Sequence, residues 1–228
     1  MENIDRKLSE KEFIVTCLKG AEIYVMDEIK GLGGRPLRDE TEGDDSGAGK
    51  NSGVVIFLAN IKIAYKLCLW SQLANRILMP LCQFKAENVQ DLYDGINQFD
   101  WSEHIGDGST ISIQTVLQNA FISHSNFATY KTKDAIVDQL RDKTGQRPSI
   151  SMVKPDVPLH LFIREEEVTL SLDLSGDSLH RRGYRQVDAE APMKETLAAS
   201  FIAFGGVRRE GDDGPHLATK TLDQDQDQ

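Results

Sequence analysis

Two apolar rhythms divide the chain into elements. Residues 13–18 (FIVTCL) form a short β-branched run that stops at Gly20, the signature of a buried strand. In residues 21–32 the apolar positions Ile23, Val25, Met26, Ile29 and Leu32 return every three or four residues, which predicts a helix, and Gly31, Gly33 and Gly34 end it. Residues 35–52 have no apolar periodicity beyond Leu37 and are rich in Asp, Glu, Gly and Ser, so they predict a loop with room for a short strand at its start. Residues 53–58 (GVVIFL) return to strand. Asn60 is placed to cap a helix that runs through Trp70, with Ile63, Leu67 and Trp70 on one stripe. Residues 77–84 (ILMPLCQF) read as a strand that Pro80 restricts to an edge or a bulge, because proline has no N–H for the ladder. The order β-α-(β)-β-α-β is the split ferredoxin-like pattern.

A second unit is expected from Glu87. Asn88 can cap a helix in which Val89, Leu92, Tyr93 and Ile96 share a face, ending near residues 99–101. Residues 110–117 (TISIQTVL) alternate as a half-buried strand does. Ser125 or Asn126 opens a long helix with Thr129, Lys133, Ile136 and Leu140 on one line and Tyr130 and Val137 beside it, closed by Gly145 and Pro148. Its exposed side is expected to carry Lys131, Arg141 and Lys143. Residues 159–163 and 168–174 alternate on either side of a charged tip, Arg164 to Glu167, and predict a hairpin. The fold class is α+β, with a ferredoxin-like subdomain over 12–86, a second α+β unit over 87–176, a linker and helix start over 177–200 and a disordered tail over 201–228.

Charge alters this picture locally. With 39% hydrophobic and 27% charged residues the chain is neither a disordered polyampholyte nor a membrane protein. Its longest apolar stretch, 54–69, is broken by Asn60, Lys62 and Lys66. The opening MENIDRKLSEKEF has no apolar core, so no export signal is read and a cytoplasmic location is expected. Cys17, Cys68 and Cys82 form no CxxC or CxxH arrangement and are read as reduced core residues. The 26 basic and 36 acidic residues give a net charge of −10, which argues mildly against a nucleic-acid partner. Yet residues 36–50 and 201–228 together supply −6 of it, while 126–147 holds five bases against three acids and 179–194 four against two. The partner question is therefore a local one.

Most small motifs have ordinary explanations. Residues 43–51 (GDDSGAGKN) resemble a phosphate-binding loop, but Asn51 stands where the hydroxyl belongs and the nearby acids repel phosphate, so a surface loop is expected. His104, His124, His160, His180 and His216 are scattered without metal-ligand spacing. Glu165, Glu166 and Glu167 suit a solvated turn better than a pair of catalytic carboxylates. No GxSxG or GxGxxG occurs. What remains is His180-Arg181-Arg182-Gly183-Tyr184-Arg185, where Arg forks could hold phosphate and Tyr could stack on an unpaired base. An interdomain linker with salt-bridged arginines fits the same composition, and composition leaves both open.

Several stretches carry a family resemblance. Residues 172–185 (LDLSGDSLHRRGYR) and 191–199 (APMKETLAA) resemble the junction between the THUMP RNA-binding domain and the methyltransferase domain of bacterial large-subunit ribosomal RNA guanine-N2 methyltransferases. LWSQLANRILMPL at 69–81, DLYDGINQFDW at 91–101 and YKTKDAIVDQL at 130–140 agree in the same order. The resemblance implies a ferredoxin-like part followed by a THUMP domain, with 36–50 longer than the family's usual loop. After Ser200 the chain carries neither the Asp-Pro-x-Cys-Gly-Ser-Gly loop that holds S-adenosylmethionine in the family nor its Asn/Asp-Pro-Pro-Tyr-like catalytic loop. The resemblance therefore implies the part that positions large-subunit ribosomal RNA for methylation, inactive by itself. It implies S-adenosylmethionine as a cofactor of the full-length family only, while the residues themselves point to no metal and no membrane partner. A protein-interaction scaffold built on the acidic loop is the alternative. The RNA contacts expected are Lys131, Lys133, Arg141 and Lys143 on the long helix and Arg181, Arg182, Tyr184 and Arg185 in the linker. Lys133 also lies on the apolar line, where it could merely snorkel from the core edge.

Overall fold

The computed structural model describes residues 10–37, 53–145, 147–151, 153–182 and 193–206. In chain order the elements are β1 (Lys11–Cys17), α1 (Glu22–Gly31), β2 (Arg35–Pro36), β3 (Val54–Ala59), α2 (Ile61–Trp70), β4 (Ala74–Lys85), α3 (Val89–Gln98), a single 3-10 turn (Trp101–Glu103), β5 (Thr110–Gln118), α4 (Ser125–Thr144), β6 (Ser149–Ile150), β7 (Val157–Arg164), β8 (Glu167–Asp173) and α5 (Glu195–Phe204). They form two compact units, one of Val15–Asn75 and the chain from Ser178, the other of Glu12–Ile14 and Arg76–Asp177.

In the first unit the strand order β2-β3-β1-β4 is that of a ferredoxin-like sheet. Asn60 caps α2 as its sequence position predicts, its Oδ1 accepting the Ile63 N–H at 3.0 Å. Ala64 and Leu67 form the buried stripe of that helix. Trp70, expected on the same stripe, is 72% exposed, because it is the last helical residue and the chain turns away at Ser71. The buried Glu22 carboxylate accepts the Gly53 N–H, fixing the start of β3 against α1. The chain from Ser178 returns to this unit. The Leu179 N–H donates to the Asn75 carbonyl at 2.9 Å, the Thr196 hydroxyl to Asn75 Oδ1 at 2.8 Å, and the Phe204 ring lies 5.4 Å from that of Tyr24. Residues 201–204, assigned to the tail from sequence, are the last turn of α5, while 207–228 lie outside the described residues.

In the second unit the order is β4-β8-β7-β5-β6, with β5 parallel to β6 and β7 and the other pairs antiparallel. A parallel pair needs a crossover, and α4 supplies it. Contacts divide β4 between the two units at Asn75 and Arg76, and from Leu78↔Asp173 onward it pairs with β8. β4 is an inner strand, and Pro80 is accommodated at a bulge between Pro80 and Cys82. Ile96, Trp101, Ile111, Ile136, Leu161 and Leu170 lead its core. Asn88 caps α3 by accepting the Gln90 and Asp91 N–H groups at 2.8 and 3.0 Å. The buried Gln139 of α4 accepts the Trp101 N–H at 2.9 Å and donates to the carbonyls of Asn97 and Phe99, which locks the end of α3 to α4. Glu165 and Glu166 form the turn at the hairpin tip, and Glu167 opens β8 opposite Arg164. Glu165 takes a left-handed φ of 55°, its N–H donates to the Gln118 carbonyl at 3.1 Å, and the Glu166 carbonyl accepts from Ala86 at 2.8 Å.

Candidate nucleic-acid interface

Helix α4 holds half of the expected contacts. Its N-cap is His124 rather than Ser125 or Asn126, because the Phe127 and Ala128 N–H groups both reach the His124 carbonyl, at 3.1 and 3.2 Å. Gly145 ends it with a left-handed φ of 74°, its N–H donating to the Arg141 carbonyl at 2.8 Å. The cations along it have different surroundings. Arg141 pairs with Asp138 at 3.2 Å and Asp142 at 3.3 Å. Lys143 pairs with Asp100 at 3.0 Å. The Ser102 hydroxyl, and after it the Lys143 ammonium, hold the Asp100 carboxyl down at about 2. Asp138 also accepts the Tyr93 hydroxyl at 2.9 Å, and burial followed by that hydrogen bond pushes the Tyr93 phenol up. The C-terminal half of the helix is thus balanced in charge.

The N-terminal half differs. Lys133 pairs with Asp134 at 2.8 Å and lies 5.8 Å over the Tyr130 ring. Lys131 is half-buried, and among the described residues no carboxylate pairs with it. Phe127, Tyr130 and Lys131 follow the i, i+3, i+4 spacing of one helix face, and Phe127 and Tyr130 are 45% and 62% exposed. Sequence reasoning put Tyr130 beside the core and passed over Phe127, although their spacing to Lys131 was legible. The face combines rings able to stack with a cation able to meet phosphate.

The arginines after β8 belong to the first unit. Arg181 is exposed, and among the described residues no carboxylate pairs with it. Arg182 is engaged by backbone. Its Nη1 donates to the Leu69 carbonyl at 2.7 Å, Nη2 to that of Ser71 at 2.5 Å and Nε to that of Leu179 at 3.1 Å. Helix ends leave carbonyls without partners, and this guanidinium satisfies those at the end of α2. The adjoining Ser71 hydroxyl and Gln72 N–H donate to Glu28 at 2.5 and 3.0 Å, and burial nonetheless raises the Glu28 carboxyl. Tyr184, Arg185 and the loop at 43–51 lie outside the described residues.

Among the described residues no group of three or more His, Cys, Asp or Glu could hold a metal ion, and no helix is long and apolar enough to cross a membrane. Cys17, Cys68 and Cys82 carry no disulfide among the described residues. Burial pushes the Cys82 thiol up to about 12, so it stays protonated and unreactive.

Comparison with known proteins assigns both units. The RlmL ferredoxin-like domain family matches residues 12–78 and the THUMP domain family residues 86–173. The chain thus carries a ferredoxin-like domain followed by a THUMP domain. The THUMP match holds α3, α4 and strands β5 to β8, hence the Phe127–Tyr130–Lys131 face. The ribosomal RNA large subunit methyltransferase K/L of Pseudomonas putida (strain W619) is 42% identical over 207 residues, 91% of this chain and 27% of that protein. The protein of the same name from Syntrophotalea carbinolica is 42% identical over 86% of this chain and 26% of its own length. This chain therefore spans about a quarter of the length of these curated relatives. The crystal structure of a possible methylase from Clostridium difficile 630 superposes with a TM-score of 0.69 at 26% identity, over 85% of this chain and 48% of that one.

Proposed function

We propose that this chain is the RNA-holding part of a ribosomal RNA methyltransferase and that it grips RNA through the N-terminal half of α4. The observation that carries the reading is the exposed Phe127–Tyr130–Lys131 face inside the THUMP match, next to a C-terminal half whose Arg141 and Lys143 are balanced by acids. On this reading Lys131 meets phosphate, Tyr130 and Phe127 stack on unpaired bases, Arg181 adds a further phosphate contact, and Lys133, paired with Asp134, is balanced as Arg141 and Lys143 are. Tyr184 and Arg185 remain candidates on sequence alone. Arg182 fits a positioning role, since three of its N–H groups already serve backbone carbonyls. S-adenosylmethionine would supply the methyl group in a full-length relative. Neither family motif for holding it or for catalysis stands in this sequence, so the chain binds and positions RNA in the cytoplasm without methylating it.

The test is affinity for a large-subunit ribosomal RNA fragment across a salt series. Each phosphate contact adds somewhat less than one to the slope of log affinity against log salt, about 0.7 for single strands and 0.9 for duplex. Lys131→Ala is expected to flatten the slope by about one such contact, and Tyr130→Ala to weaken binding about tenfold without changing it. Labelled S-adenosylmethionine added to the same mixture is expected to leave the RNA unlabelled. Absence of RNA affinity at low salt, or a slope that responds to Arg141→Ala and not to Lys131, would overturn the reading and favour the protein-scaffold alternative.

A further inference from the structure

Strand β5 is paired along the whole of one side and only at the start of the other. On one side β7 accompanies it from Ile111↔Val157 to Gln118↔Arg164, whereas on the other β6 meets only Thr110 and Ile111. In a strand the N–H and C=O of one residue point the same way, and successive residues alternate. Ile111 faces the β6 side, since its carbonyl accepts the Ser151 N–H at 3.1 Å, and Gln118 faces the β7 side, since its carbonyl accepts the Glu165 N–H at 3.1 Å. Ile113, Thr115 and Leu117 therefore turn their backbone groups toward the side that β6 leaves open. Among the described residues nothing bonds to those groups there.

An unpaired edge is a template for another strand, and proteins blunt such edges with charges, prolines or bulges. This edge has none of them. Residues 108–130 contain no Asp, Glu, Lys or Arg in a chain that is 27% charged, β5 has no proline, and its register with β7 is unbroken. Ile113 points into the core, so Gln114 and Val116 stand on the opposite face of the strand, where both are exposed. Depletion of charge is what distinguishes the centre of an interface from the rest of a surface.

A second copy of the same run fits this edge. When two copies meet antiparallel about Thr115, Thr115 lies opposite Thr115, Ile113 opposite Leu117 and Gln114 opposite Val116. Ile113, Thr115 and Leu117 then exchange both backbone bonds with the residue they face. The next such pair would join Ile111 to Asn119, and there the pairing stops, because β6 already holds Ile111 and Asn119 turns off the strand with a left-handed φ of 49°. The open length of β5 is thus the length that a two-fold register uses. No like charges come to face each other along it. We propose that residues 113–117 of β5 pair antiparallel with the same residues of a second copy of this chain, joining two THUMP sheets edge to edge. The proposal does not rest on the RNA reading, and its test contains no RNA.

The test is sedimentation of the full chain over a concentration series, with amide exchange read at the same concentrations. A reversible dimer is expected, in which the Thr115 and Leu117 amides exchange at least about tenfold more slowly than in the dilute chain. Gln114→Lys with Val116→Lys sets lysine opposite lysine and should weaken the dimer about tenfold. Gln114→Glu with Val116→Lys sets glutamate opposite lysine and should keep it. Both pairs alter exposed side chains and should leave the melting of the dilute chain alike. A monomer at every concentration would overturn the proposal, as would a dimer that both pairs weaken equally or that neither affects. Protection of Thr115 and Leu117 that persists unchanged on dilution would also overturn it and assign the edge to the chain's own remaining residues.

Discussion

Arg181 and Arg182 are neighbours with the same side chain and opposite surroundings. Sequence can list both as phosphate forks, since nothing in the string HRRGYR separates them. The separation comes from where each guanidinium points. That of Arg182 meets the carbonyls of Leu69, Ser71 and Leu179, whereas Arg181 is exposed. Hydrogen bonds from a charged donor are worth about 1.5–3 kcal/mol net, and removing this donor leaves the end of α2 without partners. Arg182→Ala is therefore expected to lower stability by about 2–3 kcal/mol in urea unfolding, with little change in RNA affinity once the protein is folded. Arg181→Ala is expected to do the reverse, with unchanged stability and a shallower salt slope. Loss of affinity without loss of stability in the Arg182 variant would return that residue to the interface.

Helix α3 shows how packing reverses a local preference. Gly95 lies within it, and replacing glycine by alanine in a helix interior ordinarily gains up to about 1 kcal/mol. Here a Cβ would fall inside van der Waals contact of the half-buried Phe84 ring on β4. Gly95→Ala is accordingly expected to destabilise the THUMP unit by about 1–3 kcal/mol, and Phe84→Leu should restore most of that by opening room for the methyl. A stabilised Gly95→Ala variant would show that the ring moves aside freely. Other elements were legible without tertiary information. Asn60 and Asn88 stand one residue before periodic apolar runs and cap the predicted helices, and Gly145 stops α4 where φ must turn positive. The two-residue β6 was missed because a strand that short has no period to read.

The whole molecule couples burial to pH through His160. This residue lies on β7 opposite Gln114 of β5 and Ser171 of β8, is buried, and has no hydrogen-bond partner for Nδ1 among the described residues. Burial first, and the nearby Arg76 guanidinium second, push its pKa down from 6.5 to about 4. Between those values the unfolded chain binds a proton that the folded protein does not. The contribution is therefore complete above pH 6.5, falls as the pH drops and levels off below 4, a loss of about 3 kcal/mol. His160→Phe is expected to flatten this part of the stability profile between pH 7 and 4, measured by urea unfolding, and an unchanged profile would mean that water reaches the ring. The sequence by itself determined the α+β class, the order of strands and helices, the caps and the family resemblance, because these depend on local periodicity, turn chemistry and residue strings. Only the tertiary structure decided that β4 pairs with β8, that Arg182 serves the backbone, that Trp70, Phe201 and Ile202 face outward, and that α4 has its uncompensated cation at one end. Those properties depend on which residues distant in sequence come to lie within a few ångströms of one another, and no local pattern in the chain encodes them.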